Sequence, residues 1–89
     1  MIEKEIIIIN KLGLHARAAA KFVTTASKYS AGIQVLKEQK SVDGKSIMGI
    51  MMLAAGKDTQ LKLIAEGEDE TEAIDALQNL ILDRFGEPE

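Results

Sequence analysis

Four consecutive isoleucines, Ile6 to Ile9, leave this chain little choice at its start. Side chains branched at Cβ lose rotamer freedom in a helix and pack well on a pleated surface, so Glu5 to Asn10 reads as a strand. With no polar residue interrupting the run, a central strand buried on both faces is expected. Asn10-Lys11-Leu12-Gly13 ends it with turn chemistry, Gly13 supplying the backbone freedom for a sharp corner. A helix-forming run follows at once. Between Ala16 and Lys28 lie five alanines, and Ala19, Phe22, Val23 and Ala26 fall at i, i+3, i+4 and i+7, which predicts an amphipathic helix. His15 then sits at its N-cap or just before it. Ser27 to Gly32 closes the helix, with Gly32 as a loop or cap residue.

The rest of the chain repeats these two periods. Ile33 to Glu38 alternates loosely and reads as a half-buried strand, with Gln39 to Val42 as a short partner before the Asp43-Gly44 turn. Ser46 is the expected N-cap of a short helix running through Ile47 to Ala55 and ended by Gly56. That helix is apolar nearly all round. Ile50, Leu53 and Ala54 form one face, and Ile47, Met48 and Met51 another. Gln60 to Glu66 alternates as a strand. Asp69 is the expected N-cap of the last helix, with Glu72 in capping-box spacing and Ala73, Ile74, Leu77, Leu80 and Ile81 as the core stripe. Gly86 and Pro88 end it, and a frayed tail is expected. The order βαββαβα predicts an α+β fold, a mostly antiparallel sheet of four strands covered on one face by three helices.

Composition narrows the function. The 89 residues suit one domain, residues 1–89, and 46% hydrophobic content is enough for one modest core. A net charge of −3 and a pI near 5.2 argue against nucleic acid as the main partner, since no basic excess is available for phosphates. There is no cysteine and one histidine, which excludes disulfides, thiolate metal sites and multi-histidine metal sites within the chain; no cofactor or metal is expected. No apolar run approaches the ~20 residues of a membrane span, and Met1 to Glu5 lacks signal-peptide character. A cytoplasmic location is therefore expected.

The single histidine is the chemical focus. At a strand-to-helix junction, with Arg17 two residues on, an imidazole can carry a phosphoryl group. The ring supplies the nucleophile, while the guanidinium and the first-turn amides of Ala16, Arg17 and Ala18 neutralise phosphate oxygens. The plainer reading is a surface or capping histidine.

Two segments decide between these readings. Asn10-Lys11-Leu12-Gly13-Leu14-His15-Ala16-Arg17 and Gly44-Lys45-Ser46-Ile47-Met48-Gly49 together resemble the HPr family, the histidine-containing phosphocarriers of the bacterial sugar phosphotransferase system. The resemblance extends over nearly the whole chain. It implies an open-faced β-sandwich. It also implies that His15 takes a phosphoryl group on Nδ1 from the phosphohistidine of Enzyme I, itself charged by phosphoenolpyruvate, and passes it to Enzyme IIA domains. Such a protein is a substrate of other phosphotransferases rather than an enzyme. Arg17 matches the arginine that contacts the phosphate, with the backbone of Ala16 and Arg17 completing the cradle. One departure is Ala18, where many members carry proline, a residue suited to a first helical turn.

Ser46 matches a serine that HPr kinase/phosphorylase modifies in some bacteria, although a serine here is also simply a good cap. Leu14, Ile47, Met48 and Met51 match the docking patch for Enzyme I and Enzyme IIA, although methionines at helical spacing are often core. Lys21, Lys28, Lys40 and Lys45 could form its basic rim. The protein is expected to act as a monomer. Two alternatives stand beside this reading: the nitrogen-branch paralogue NPr, and a non-catalytic α+β interaction module with an incidental histidine.

Overall fold

A computed structural model describes residues 1–89. The elements are β1 (Ile2–Ile7), α1 (Ala16–Ala26), β2 (Gly32–Lys37), β3 (Lys40–Asp43), α2 (Ile47–Met52), β4 (Gln60–Glu66) and α3 (Glu70–Leu82), followed by a 3₁₀ turn at Arg84–Gly86. The four strands form one sheet in the order β1-β4-β2-β3, with every neighbouring pair antiparallel. Along β4, Leu61, Leu63 and Ala65 are buried while Gln60 and Glu66 are exposed, the period-2 pattern of a sheet covered on one side. The three helices lie over that side, and 21 buried hydrophobic residues form one continuous core between the layers.

One-sided covering corrects the expectation for the isoleucine run. The first strand begins at Ile2 and lies at the sheet edge, paired only with β4. Ile6 and Ile8 are 7% and 0% exposed, whereas Ile7 is 49% exposed. No helix covers the outer face, so half of a β-branched run faces solvent.

The helices also depart in detail. In α1 the chain stops at Ala26, where the N–H of Ser27 bonds to the carbonyl of Val23; Ala18 joins the buried stripe and Val23 lies at its margin. Gly32 opens β2 instead of capping α1. In α2 the left-handed exit falls on Ala54, with φ 51°, not on Gly56. The Lys37 amine reaches the Leu53 carbonyl at 2.9 Å, so a residue distant in sequence satisfies the end of this helix. The tail is not frayed. Arg84, Phe85 and Gly86 have φ of 56°, 55° and 77°, a turn that folds Phe85 back into the core at 1% exposure, worth roughly 1.5–3 kcal/mol.

Asp69 stands at the N-cap of α3 but makes no capping bond. Its carboxylate instead accepts the N–H groups of Ser30 at 2.9 Å and Ala31 at 2.8 Å, tying α3 to the α1–β2 connection. The Ser30 amide bond, together with that of Ala31, outweighs desolvation and holds the Asp69 carboxyl below its ordinary range. A carboxyl depressed in the folded state contributes stability above its unfolded pKa and loses it as pH falls through the folded value. Asp69→Asn should therefore melt at lower temperature than the wild type at pH 7, and the gap should close between about pH 4 and pH 2. Thermal unfolding followed across that range checks this; a gap that persists at the acid end refutes it.

Candidate functional site

The connection from β1 to α1 is shaped by Gly13. Its φ is +67°, and a Cβ there would lie 2.4 Å from the Ala55 carbonyl oxygen and 2.7 Å from Gly56 Cα. Only glycine meets both demands. The next residue seals the contact, the N–H of Leu14 bonding to the Ala55 carbonyl at 2.9 Å. The corner turns Leu12 outward, 66% exposed, and Leu14 inward, 6% exposed. Leu14, expected in the docking patch, is thus a core residue, and Leu12 is the exposed apolar side chain of this loop.

His15 is the N-cap of α1 in extended conformation, and its side chain makes no capping bond. Its carbonyl accepts the first intrahelical bond, from Ala19 N–H at 2.8 Å. The amides of Ala16, Arg17 and Ala18 then have no intrahelical acceptor, and their dipoles sum at this end. The imidazole is 27% exposed and its Nε2 contacts the Glu87 carboxylate. Since a carboxylate can only accept, the network assigns the proton to Nε2 and the lone pair to Nδ1, which has no protein partner.

Glu87 is itself held. Its other oxygen accepts from Asn10 Nδ2 at 2.9 Å, and the same Nδ2 donates to the Gly13 carbonyl at 2.9 Å. The surrounding tail is tied down by the Lys21 amine on the Phe85 carbonyl at 2.6 Å and by Lys11 N–H on the Glu89 carbonyl at 3.0 Å. Between loop and tail lies a cleft of about 400 Å³, with Lys11, Leu12, His15 and Arg17 on one side and Glu87, Pro88 and Glu89 on the other. Arg17 is exposed there and pairs with no protein group. The cleft therefore offers an imidazole lone pair, an uncommitted guanidinium and a helix N-terminus, the parts needed to receive an anion at a nucleophile.

The second predicted segment behaves as a cap and an apolar face. Ser46 Oγ accepts the Gly49 N–H at 3.1 Å, and Ile50 and Leu53 are buried. Ile47, Met48, Met51 and Met52 are 44%, 70%, 40% and 68% exposed, so most of α2 faces out. Of the four lysines of the expected rim, Lys21 and Lys45 are committed to backbone carbonyls, those of Phe85 and Tyr29, and Lys28 and Lys40 are exposed. No group of three His, Cys, Asp or Glu side chains is arranged to hold a metal ion, and no helix is long and apolar enough to cross a membrane.

The family model for the PTS HPr component phosphorylation site matches residues 2–83. The chain belongs to the HPr family. It is 62% identical over 86 residues, 96% of each chain, to the phosphocarrier protein HPr of Pseudomonas aeruginosa. Among solved structures, HPr-C-His from Thermoanaerobacter tengcongensis covers both chains fully at 56% identity with a TM-score of 0.96. A structure described as an HPr dimer from the same organism matches at 57% identity and a TM-score of 0.79, covering 98% of this chain and all of that one. The HPr family is one of phosphocarriers in the phosphotransferase system, which fits a cleft built around a single histidine.

Asn10, Leu12, Met52 and Glu87 were not singled out from sequence as site or patch residues. Met52 is the one with a local signal, being part of the apolar helix. Asn10 and Glu87 lie 77 residues apart, and no periodicity links them.

The Glu87 carboxyl is 12% exposed. Desolvation pushes it up, but the hydrogen bonds from Asn10 and His15, with the charges of His15 and Lys21, outweigh this and leave it below the ordinary 4.5. The contact is present above the unfolded pKa and lost as pH falls through the lower folded value. The Asn10 side-chain amide resonances, followed by NMR between about pH 2 and pH 7, should therefore shift with a midpoint below that of a free Glu, ~4.3. A midpoint at or above that value refutes the bridge.

Proposed function

We propose that His15 accepts a phosphoryl group at Nδ1 from the phosphohistidine of Enzyme I and passes it to Enzyme IIA domains, within the cytoplasm and as a monomer. The observation that carries this reading is the His15 ring itself: Nε2 faces Glu87, while Nδ1 is unpartnered at the start of α1. An imidazole with its proton held on one nitrogen is a nucleophile at the other. Arg17 lies in the same cleft, and with the amides of Ala16 and Arg17 it would neutralise the phosphoryl oxygens. Transfer between two nitrogens asks for in-line approach and charge neutralisation rather than covalent help. The protein is on this reading a substrate of two successive phosphotransferases, not a catalyst.

The exposed face of Ile47, Met48 and Met51, extended by Met52 and Leu12, serves as the docking surface. Flexible methionines suit a surface that must fit more than one partner. Ser46 caps this helix, and where an HPr kinase/phosphorylase is present its modification would regulate docking. A phosphate there sits at a helix start, which tolerates it, but beside an apolar face that a partner must desolvate.

His15→Ala should fold normally and gain no acid-labile phosphate on incubation with Enzyme I and phosphoenolpyruvate. Intact-mass spectrometry reads the result, and full labelling of the variant would overturn the assignment. Ser46→Asp keeps an N-cap acceptor, so its melting temperature should match the wild type closely. The apparent KM of Enzyme I for this variant as substrate should rise about tenfold through charge desolvation and repulsion. Steady-state transfer comparing Ser46→Ala with Ser46→Asp tests this; equal KM values would leave Ser46 as a cap alone.

A further inference from the structure

One polar side chain in the core has no part in the reaction just described. Asn10 is the only polar or charged side chain that is fully buried, at 0% exposure. Burying a primary amide costs free energy unless its hydrogen bonds are replaced. Its single amino group makes two bonds of 2.9 Å, to the Gly13 carbonyl and to Glu87 Oε1. Its Oδ1 has no partner at all. The opposite amide orientation would place Oδ1 against both acceptors, so the orphaned oxygen is the lesser cost. The amide meets the two acceptors only by leaving its own oxygen unpaired, a cost that an apolar side chain of similar shape would exchange for two acceptors without a donor. What the amide does gain is a fixed place for a carboxylate. Glu87 Oε1 is on Asn10 and Oε2 is on His15 Nε2. The turn at Arg84–Gly86, anchored by buried Phe85, delivers Glu87 to that spot.

We infer that Asn10 is a positioning residue, which clamps Glu87 against Nε2 of His15 and thereby directs phosphoryl transfer to Nδ1. This rests on the reading of His15 as the acceptor. In the transfer, the Nδ1 lone pair forms the new bond to phosphorus. The donor's P–N bond breaks, and its electron pair leaves with the donor nitrogen. The His15 ring gains positive charge, its proton stays on Nε2, and the facing carboxylate neutralises the charge as it forms. This is the role a buried carboxylate plays behind a reacting histidine in hydrolytic triads. Remove the clamp and Glu87 is free to swing away. The ring then loses both its orientation and the cover on Nε2, and both nitrogens become available.

Potassium phosphoramidate tests this without any docking partner, because it is small and its P–N bond breaks to release ammonia. The full chain would be labelled as wild type, Asn10→Ala, Asn10→Ser, Glu87→Ala and Asn10→Ala/Glu87→Ala. Phosphorus and nitrogen NMR identify the modified ring nitrogen, and circular dichroism reports folding. Wild type should label at Nδ1 alone. Each single variant should yield a mixture with Nε2 and label at Nδ1 about tenfold more slowly, the lower end of what losing a histidine-orienting partner costs at metal sites. The double variant should match Glu87→Ala, since Asn10 acts only through that carboxylate. Asn10→Ser keeps a small polar group in the core and carries the test should Asn10→Ala fail to fold. Labelling of folded Asn10 variants at Nδ1 alone and at the wild-type rate overturns the role of Asn10. So does a double variant slower than Glu87→Ala. A wild type that takes no phosphate at His15 overturns instead the reading of His15 as acceptor.

Discussion

A sheet covered on one face only is the constraint behind the rest of this molecule. Eighty-nine residues supply enough apolar surface for one layer interface, not two. Ile33, Val35, Leu61, Leu63 and Ala65 point into that interface, while the outer face carries residues such as Glu3 and Lys62, paired at 3.3 Å. That exposed pair adds little stability, and the outer face does not need it to. With all three helices on one side, the chain must cross from sheet to helix layer after β1, β3 and β4. The first crossing places a sharp corner immediately before a helix start. An imidazole at that corner inherits the positive end of α1 without any dedicated architecture.

Periodic information survived into the structure, and positional information did not. Strand β4 was legible in full because its alternation is clean from Gln60 to Glu66. The core stripe of α3 was legible because Ala73, Ile74, Leu77 and Ile81 recur at helical spacing. The isoleucine run was legible as a strand but not as an edge, since β-branching reports backbone preference and says nothing of what lies on either side. Asp69 shows the limit for caps. Its position before α3 was readable, but its carboxylate serves Ser30 and Ala31, nearly forty residues away. Leu12 and Leu14 flank the same glycine and are indistinguishable by composition; the left-handed corner at Gly13 and the bond of Leu14 N–H to the Ala55 carbonyl go with Leu14 inside and Leu12 outside. Of the site, His15 and Arg17 were legible, and the carboxylate behind the ring was not, because that contact is made across the whole length of the chain.

The packing of Gly13 on Ala55 also joins two features that lie far apart in sequence. The loop that carries His15 rests on the exit of α2 through a backbone hydrogen bond and a contact with no room for a Cβ. That exit is held in turn by the Lys37 amine on the Leu53 carbonyl. The apolar face of α2 and the imidazole therefore belong to one stiff unit. On the proposed docking reading, a partner seated on α2 would have its reactive group placed relative to Nδ1 with little further ordering of loops. Much of the rate of a two-protein transfer comes from such positioning.

A carrier differs from an enzyme in needing both of its states to be easily left. A cleft crowded with cations would bind the phosphoryl group tightly, lowering the energy of the charged carrier and raising the barrier to onward transfer. This cleft is sparingly provided. Arg17 is its one uncommitted cation, since the Lys11 amine lies 3.5 Å from Glu89 and Lys21 is spent on the Phe85 carbonyl. On the acceptor reading, Glu87 pulls the balance the same way. It stabilises positive charge on the ring during transfer in either direction, yet its own negative charge opposes a phosphoryl group held on the far side of that ring. At separations of a few ångströms near a protein surface such a repulsion is of the order of a few kcal/mol before screening, comparable with what one guanidinium contributes in the opposite sense. The guanidinium and the carboxylate thus offset each other on the phosphoryl oxygens, while the carboxylate alone neutralises the positive charge that the ring takes on with its Nε2 proton in place, so the charged carrier is not held in a deep well.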